Sequence, residues 1–168
     1  MKIRIAGTVN DSIVDGPGLR FTVFTQGCPH QCPGCHNPET HDFSGGREEE
    51  TEKIIESMLK NPLLSGVTLS GGEPMLQSKE CLEIAKAAHG KGLNVWMYTG
   101  FLWEDLLSEN DPSKMALLRE TDVLVDGPFI LSERSLELDF CGSRNQRLIN
   151  VPESLKAGKA ILWQPPKW

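Results

Sequence analysis

Short apolar stretches alternate with amphipathic ones along the chain, and the apolar stretches have the length of β-strands. Residues 1–6 alternate apolar and polar side chains, as a half-buried strand does, whereas residues 66–70 are typical of a short buried strand. The pattern predicts strands at 1–6, 19–26, 66–70, 93–99 and 123–125, with 147–149 as a further candidate.

Helical patterns separate these strands. One helix is predicted to begin at the acidic residues 48–50 and to end at Asn61, before Pro62, and a second follows residues 71–74 and runs to about Gly90. Further on, Asp111 is placed to cap a helix whose first residue is Pro112. The first helix should bury Ile54, Ile55, Met58 and Leu59.

Strands that alternate with helices are typical of a parallel sheet with right-handed crossovers. Four segments with chemically distinctive residues directly follow predicted strands: the cysteine loop after residue 27, Gly71 to Pro74, Thr99-Gly100 and Asp126-Gly127. In parallel α/β barrels, active sites are built at this end of the strands. A complete eight-fold barrel takes roughly 250 residues, and this chain has 168. We therefore expect an α/β fold, an incomplete and laterally open parallel (β/α) barrel, with residues 1–168 forming a single domain.

Composition excludes several classes of partner. Seventeen Lys and Arg stand against 23 Asp and Glu, a formal charge of −6, and no stretch is rich in basic residues. This argues against binding to nucleic acid or to an anionic membrane. The chain has no apolar run long enough to cross a bilayer, and its first residues lack the apolar block of a signal peptide. A cytoplasmic, reducing environment is the expectation.

The five cysteines are unevenly distributed. Cys28, Cys32 and Cys35 fall within eight residues, whereas Cys81 and Cys141 are isolated. In a reducing compartment a tight group of thiols favours metal binding or chemistry over disulfides. Cys81 lies at helical spacing with apolar neighbours and is interpreted as a core residue, and Cys141 is also interpreted as structural.

Thiolates are soft ligands that favour iron–sulfur clusters and zinc. A [4Fe–4S] cluster usually has four cysteine ligands, so three would leave one iron open to a small molecule with amine or carboxylate donors. The alternative is a zinc site of three cysteines and one histidine, drawn from His30, His36 or His41. A third alternative is three thiols without a ligand.

The Cys-x3-Cys-x2-Cys loop after one strand and Gly71-Gly72-Glu73-Pro74 after the next resemble the radical S-adenosylmethionine superfamily. More narrowly, the chain resembles the glycyl-radical-enzyme activases, in particular those that act on anaerobic ribonucleoside-triphosphate reductase. The segments that carry this resemblance are 14–21, 26–28, 32–40, 98–100, 125–127, 142–143 and 145–146.

This resemblance implies that Cys28, Cys32 and Cys35 bind a [4Fe–4S] cluster and that S-adenosylmethionine chelates its fourth iron. One electron would then cleave the sulfonium to a 5′-deoxyadenosyl radical. It also implies cofactor contacts for Gly34, Cys35, His36, Gly71, Gly72, Glu73 and Thr99. Plain alternatives exist, because Gly-Gly-Glu-Pro is also a good strand-to-helix turn and His36 would also fit as a loop histidine. Thr99 and Asp126 would each bind ribose or substrate or cap the next helix, and Asp126 is left without an assigned role.

The resemblance implies an activase that abstracts hydrogen from one backbone glycine of a large glycyl-radical reductase. A low-potential electron donor such as flavodoxin or ferredoxin would be a second partner. Two alternatives remain at this point: an activase of another glycyl-radical enzyme, such as pyruvate formate-lyase, and a zinc-stabilised binding module without catalysis.

Overall fold

The computed structural model describes residues 1–30, 32, 35, 38–135 and 138–165. Its strands are β1 (Lys2–Ser12), β2 (Arg20–Thr25), β3 (Arg47–Glu50), β4 (Gly66–Gly71), β5 (Asn94–Tyr98), β6 (Val123–Asp126) and β7 (Arg147–Asn150). Its α-helices are α1 (Thr51–Leu59), α2 (Ser78–Gly90), α3 (Trp103–Glu109), α4 (Pro112–Arg119) and α5 (Val151–Ala157). Short 3₁₀ turns span Pro38–Thr40, Pro74–Gln77 and Leu131–Glu133. No helix in the described ranges combines the length and the apolar character needed to cross a membrane.

The described strands form one mixed sheet in the order β3-β1-β2-β4-β5-β6-β7. The four central strands, β2, β4, β5 and β6, are parallel, as the alternation of strands and helices predicts. The outer strands β1, β3 and β7 are antiparallel to their neighbours, which the sequence pattern did not predict. A short connection between β1 and β2 permits only antiparallel pairing, because a parallel pair needs a crossover of a dozen or more residues.

The central strands bury both faces, and each face has its own core. On β5, Val95 and Met97 belong to the large core that the helices cover, whereas Trp96 lies in a smaller core on the opposite face. Successive side chains of a strand point to opposite faces, so this split follows directly from the pleat. The smaller core continues into Tyr98 at the end of β5 and therefore forms the base of the candidate site.

The acidic residues 48–50 form part of strand β3 and do not begin a helix, which corrects the prediction. They pair with residues 2–4 of β1, and α1 begins only at Thr51. The pairing gives the backbone of the otherwise unpaired edge of β1 its hydrogen-bond partners. Helix α1 buries Ile54 and Met58, Ile55 is partly buried and Leu59 is exposed, so the predicted buried face is confirmed in part.

Other local predictions are confirmed. The Asp111 carboxylate caps α4 by accepting hydrogen bonds from the amides of Ser113 and Lys114 at 2.9 and 3.1 Å. Cys81 is fully buried in the helix-side core. The candidate strand at 147–149 is β7, and it is followed directly by α5, which the sequence pattern did not indicate.

Candidate active site

A cavity of about 700 Å³ lies at the carboxyl ends of the four parallel strands. The loop after β2 contributes Cys28, Cys32 and Cys35 to its lining. The turns after β4, β5 and β6 contribute glycines and Thr99 to the same lining. The structure thus brings together, around one space, residues that are far apart in the sequence.

Hydrogen bonds join the segment that enters the cysteine loop, residues 26–28, to the segment that leaves it, residues 39–42. The amides of Gly27 and Cys28 donate to carbonyl oxygens of residues 40 and 41 at 2.7 and 3.2 Å. The buried side-chain amide of Gln26 donates to the carbonyl oxygens of residues 39 and 42 at 3.0 and 2.6 Å. Gln26 therefore fixes where the chain returns after the cysteines, a role that the sequence did not indicate.

The three thiols differ in exposure. Cys28 is buried, Cys32 and Cys35 are half-buried, and the amide of Cys35 donates to the carbonyl oxygen of Cys32 at 3.2 Å. Among the described residues, no three His, Cys, Asp or Glu side chains are arranged around a point that would hold one metal ion. The predicted contacts of Gly34 and His36 lie outside the described residues.

Gly71 and Gly72, after β4, must be glycines because neighbouring backbone leaves no room for a side chain. Gly71 has φ +89°, and a Cβ on it would lie 2.5 Å from the backbone of Thr25. A Cβ on Gly72 would lie 2.4 Å from the carbonyl oxygen of Gly27, and its amide donates to the carbonyl oxygen of Thr25 at 2.7 Å. These contacts seat the turn against the end of β2, and both glycines still line the cavity. Gly71 and Gly72 therefore form a tight strand-to-helix turn, and their backbone also faces the cavity, where a ligand would reach it.

Glu73 is fully buried and its carboxylate links three turns. Oε1 lies 2.6 Å from Nε2 of His30 in the cysteine loop and accepts a hydrogen bond from the amide of Gly100 at 2.8 Å. The Thr99 hydroxyl lies 2.9 Å from both carboxylate oxygens, and the Met75 amide donates to Oε2 at 3.1 Å. The side chain of Glu73 thus contacts the protein itself, and it holds the cysteine loop against the β5 turn.

The imidazole of His30 is held on a second side as well. Its ring packs edge-on against Phe101, with 4.8 Å between ring centroids. A Cβ on Gly100 would lie 2.4 Å from the His30 ring, so glycine is needed where the two turns meet. His30 is therefore a structural partner of Glu73, and both His30 and His41 lie at the cavity lining.

Asp126, at the end of β6, caps a helix, a role that sequence analysis left open. The carboxylate accepts a hydrogen bond from the amide of Trp103, in the first turn of α3, at 2.9 Å. Arg147 donates to both of its oxygens, and the hydrogen bond with Asp126 raises the pKa of Arg147 above its ordinary value. The carboxylate is fully buried and engaged by these partners.

Residues 138–146 form a wall of the cavity, a role that sequence analysis missed, and Leu138, Phe140, Cys141, Gly142 and Gln146 are its lining residues. Oε1 of Gln146 accepts hydrogen bonds from the amides of Gly142 and Ser143 at 2.8 and 3.2 Å. Its Nε2 donates to the carbonyl oxygen of Gly127 at 3.1 Å, which links the wall to the β6 turn. Cys141, interpreted from sequence as structural, also lines the cavity, and burial raises the pKa of its thiol to about 11.

Arg20, the first residue of β2, is fully buried. Its guanidinium donates to Oγ1 of Thr68 at 2.7 Å and to the carbonyl oxygens of Val67 and Pro17 at 2.9 and 3.0 Å. Burial lowers its pKa to about 10. Arg20 therefore anchors the turn before β2 to β4, and its neighbour Asp15 lines the cavity.

Comparison with known proteins gives consistent matches. Residues 14–149 match the model of the family described as "4Fe-4S single cluster domain". The anaerobic ribonucleoside-triphosphate reductase-activating protein of Vibrio cholerae is 38% identical over 142 residues, covering 80% of this chain and 89% of the relative. The protein of the same name from Escherichia coli K12 is 34% identical over 145 residues, with 80% and 90% covered.

Two further similarities are more partial. The pyruvate formate-lyase-activating enzyme of Clostridium pasteurianum is 35% identical over 117 residues, which cover 64% of this chain and 49% of that enzyme. Among solved structures, the crystal structure of QueE from Escherichia coli superposes with a TM-score of 0.47 at 15% identity, covering 60% of this chain and 53% of that one.

Proposed function

This chain belongs to the family of anaerobic ribonucleoside-triphosphate reductase-activating proteins, and we propose that it is itself such an activating enzyme. It binds a [4Fe–4S] cluster and S-adenosylmethionine and generates a glycyl radical on a large reductase. The single observation that carries this proposal is the shared cavity, where the cysteine loop after β2 meets the Gly-Gly-Glu-Pro turn after β4.

The residues around the cavity fit the cofactors. Cys28, Cys32 and Cys35 would hold three irons of the cluster, and three soft ligands leave the fourth iron for the substrate. The described lining contains no Lys or Arg side chain, so a ligand's carboxylate has no cationic side chain to pair with there and is suited to an open iron. A volume of about 700 Å³ lies within the usual range for small-molecule sites, roughly 300–1,000 Å³.

The neighbouring residues orient and enclose the ligands. Gly71, Gly72 and Thr99 would contact S-adenosylmethionine, and Gly34 and His36 are assigned the same role by resemblance alone. Glu73 serves the site through its contacts with His30 and Thr99. When bound, the cluster and S-adenosylmethionine supply the one-electron reductive cleavage of the sulfonium that starts hydrogen abstraction from the partner's glycine. The protein's own task is to orient the two and to exclude water.

An incomplete and laterally open barrel of the radical S-adenosylmethionine type belongs to this proposal. It is supported by the four parallel strands and by the position of the cavity at their carboxyl ends. An opening at the side would admit a segment of the reductase. A low-potential donor such as flavodoxin or ferredoxin, a cytoplasmic location and a single domain over residues 1–168 complete the proposal.

Electron paramagnetic resonance tests this function. The protein is purified without oxygen, its cluster is reduced, and it is mixed with S-adenosylmethionine and the reductase. A glycyl-radical signal should appear on the reductase and should require all three components. Absence of that signal from protein carrying about four iron and four sulfide per chain would refute the proposal. Zinc without sulfide in the same preparation would instead favour a binding module.

A second candidate is activation of pyruvate formate-lyase, favoured by the 35% identity to the Clostridium pasteurianum enzyme. The same experiment with that enzyme as partner separates the two. A radical on pyruvate formate-lyase but not on the reductase would overturn the choice of partner and leave the radical chemistry in place.

A further inference from the structure

The tail after α5 is a feature that the proposed function does not use. Its Leu162 forms an isolated bridge with Ile149 of β7, and the amide of Trp163 donates to the carbonyl oxygen of Leu148 at 2.8 Å. The tail thereby extends along the edge of the sheet. This brings the Trp163 ring onto the smaller core, on the face that carries the cavity.

Three aromatic rings connect this tail to the cavity. Trp96 of β5 lies at the centre and is almost fully buried. The Trp163 ring meets Trp96 edge-on with 5.1 Å between ring centroids, and the Phe140 ring meets Trp96 in the same way at 5.2 Å. Edge-to-face pairs of this spacing are favourable beyond the area that they bury. The guanidinium of Arg20 lies 5.6 Å from the Trp96 centroid and adds a further contact.

Phe140 is also part of the cavity wall. Leu138, Phe140, Cys141 and Gly142 all line the cavity. Phe140 has φ +63°, a left-handed conformation that residues with a side chain rarely adopt. Such a conformation persists only where surrounding contacts enforce it, and the Phe140 ring finds that contact on Trp96.

We propose that Trp163 is a positioning residue of the site: through Trp96 and Phe140 it holds residues 138–142, the part of the wall against which S-adenosylmethionine packs. Removing the Trp163 ring opens a gap beside Trp96, and the wall then loses the support that maintains the strained conformation at Phe140. The statement about S-adenosylmethionine rests on the proposed function, whereas the support of the wall does not.

The test compares three variants. Trp163→Leu removes the ring, Trp163→Phe keeps a smaller one, and Leu162→Ala truncates the exposed neighbouring side chain outside the aromatic cluster. Hydrogen exchange of the cluster-free protein reports on the amides of residues 138–146. We expect exchange at least tenfold faster in Trp163→Leu, two- to fourfold faster in Trp163→Phe, and unchanged in Leu162→Ala.

Equilibrium binding of S-adenosylmethionine to the unreduced, cluster-loaded protein provides the second measurement. The dissociation constant should rise at least fivefold in Trp163→Leu and less than twofold in Leu162→Ala. Equal exchange in the wild type and both Trp163 variants would overturn the proposal, as would faster exchange with unchanged binding. If Trp163→Leu does not fold, Trp163→Phe measured against Leu162→Ala decides the matter. Failure of the wild type to bind S-adenosylmethionine would count against the proposed function. The hydrogen-exchange data would still test whether Trp163 supports residues 138–142.

Discussion

Replacing Glu73 with Gln tests whether a buried carboxylate holds the cysteine loop in place. The substitution keeps the shape of the side chain but removes its charge and turns one acceptor oxygen into a donor. In the native structure Glu73 accepts from His30, Thr99, Gly100 and Met75, and water cannot replace these partners because the side chain is fully buried.

The magnitude follows from the hydrogen bonds. With the Gln oxygen in place of Oε1, the bonds from His30, Thr99 and Gly100 are kept but become neutral, at a loss of about 1 kcal/mol each. The Gln amide then faces the Met75 amide, and leaving that buried donor without a partner costs about 1 kcal/mol more. The expected loss in the free energy of unfolding is about 4 kcal/mol. At about 2–4 °C per kcal/mol, the melting temperature should fall by about 8–16 °C.

Denaturant unfolding of the cluster-free protein, with Glu56→Gln as the control, measures this loss. The Glu56 side chain is exposed and pairs only at 3.9 Å with Lys60, so its replacement should change stability by less than about 0.5 kcal/mol. Thr99→Val, which removes one donor to Glu73, should fall between the two variants. A Glu73→Gln protein as stable as the Glu56→Gln control would refute the role assigned to this carboxylate.

Three other outcomes are expected. Cys32→Ala should abolish cluster assembly, seen as loss of bound iron and sulfide, and leave the far-ultraviolet circular dichroism almost unchanged. Cys81→Ala should retain iron and cost only about 1 kcal/mol, because this buried thiol packs in the core far along the chain from the loop; loss of iron would contradict the ligand assignment. Burial lowers the pKa of His89, but hydrogen bonds to Asp122 and Glu120 outweigh it and the net pKa is raised above 6.5. The ion pairs of protonated His89 therefore stabilise the fold fully below pH 6.5, and this stabilisation is lost as the pH rises through the raised pKa. His89→Gln should consequently lower the free energy of unfolding more at about pH 5.5 than at about pH 8.5. Equal losses at the two pH values would contradict this.

The parts of the fold that sequence analysis predicted are those set by local pattern. Cap chemistry identifies the start of α4, because Asp111 followed by Pro112 satisfies the first amides wherever the helix lies. Periodicity locates the four parallel strands, since each is a short apolar run between turn residues. The pattern failed at residues 48–50, where acidic side chains suit a helix start but an unpaired strand edge competes for the same backbone.

The candidate site divides in the same way. The spacing of the three cysteines and the adjacent glycines are visible in the sequence because the chemistry needs those residue types. The partner of Glu73 is not visible, because His30 lies 43 residues away and only the packing of two strand ends brings them to 2.6 Å. The same reason hides the wall at Gln146 and the burial of Arg20.

By itself, the sequence determined which atoms are available to bind a soft metal cluster and where the four central parallel strands lie, because both depend on residue type and near-neighbour spacing. Tertiary structure alone decided which side chains share the cavity, which carboxylates are already engaged within the protein, and that the Trp96 ring contacts both Trp163 and Phe140. Those facts depend on the order and direction of the strands, which bring together residues from opposite ends of the chain, and no local pattern encodes that arrangement.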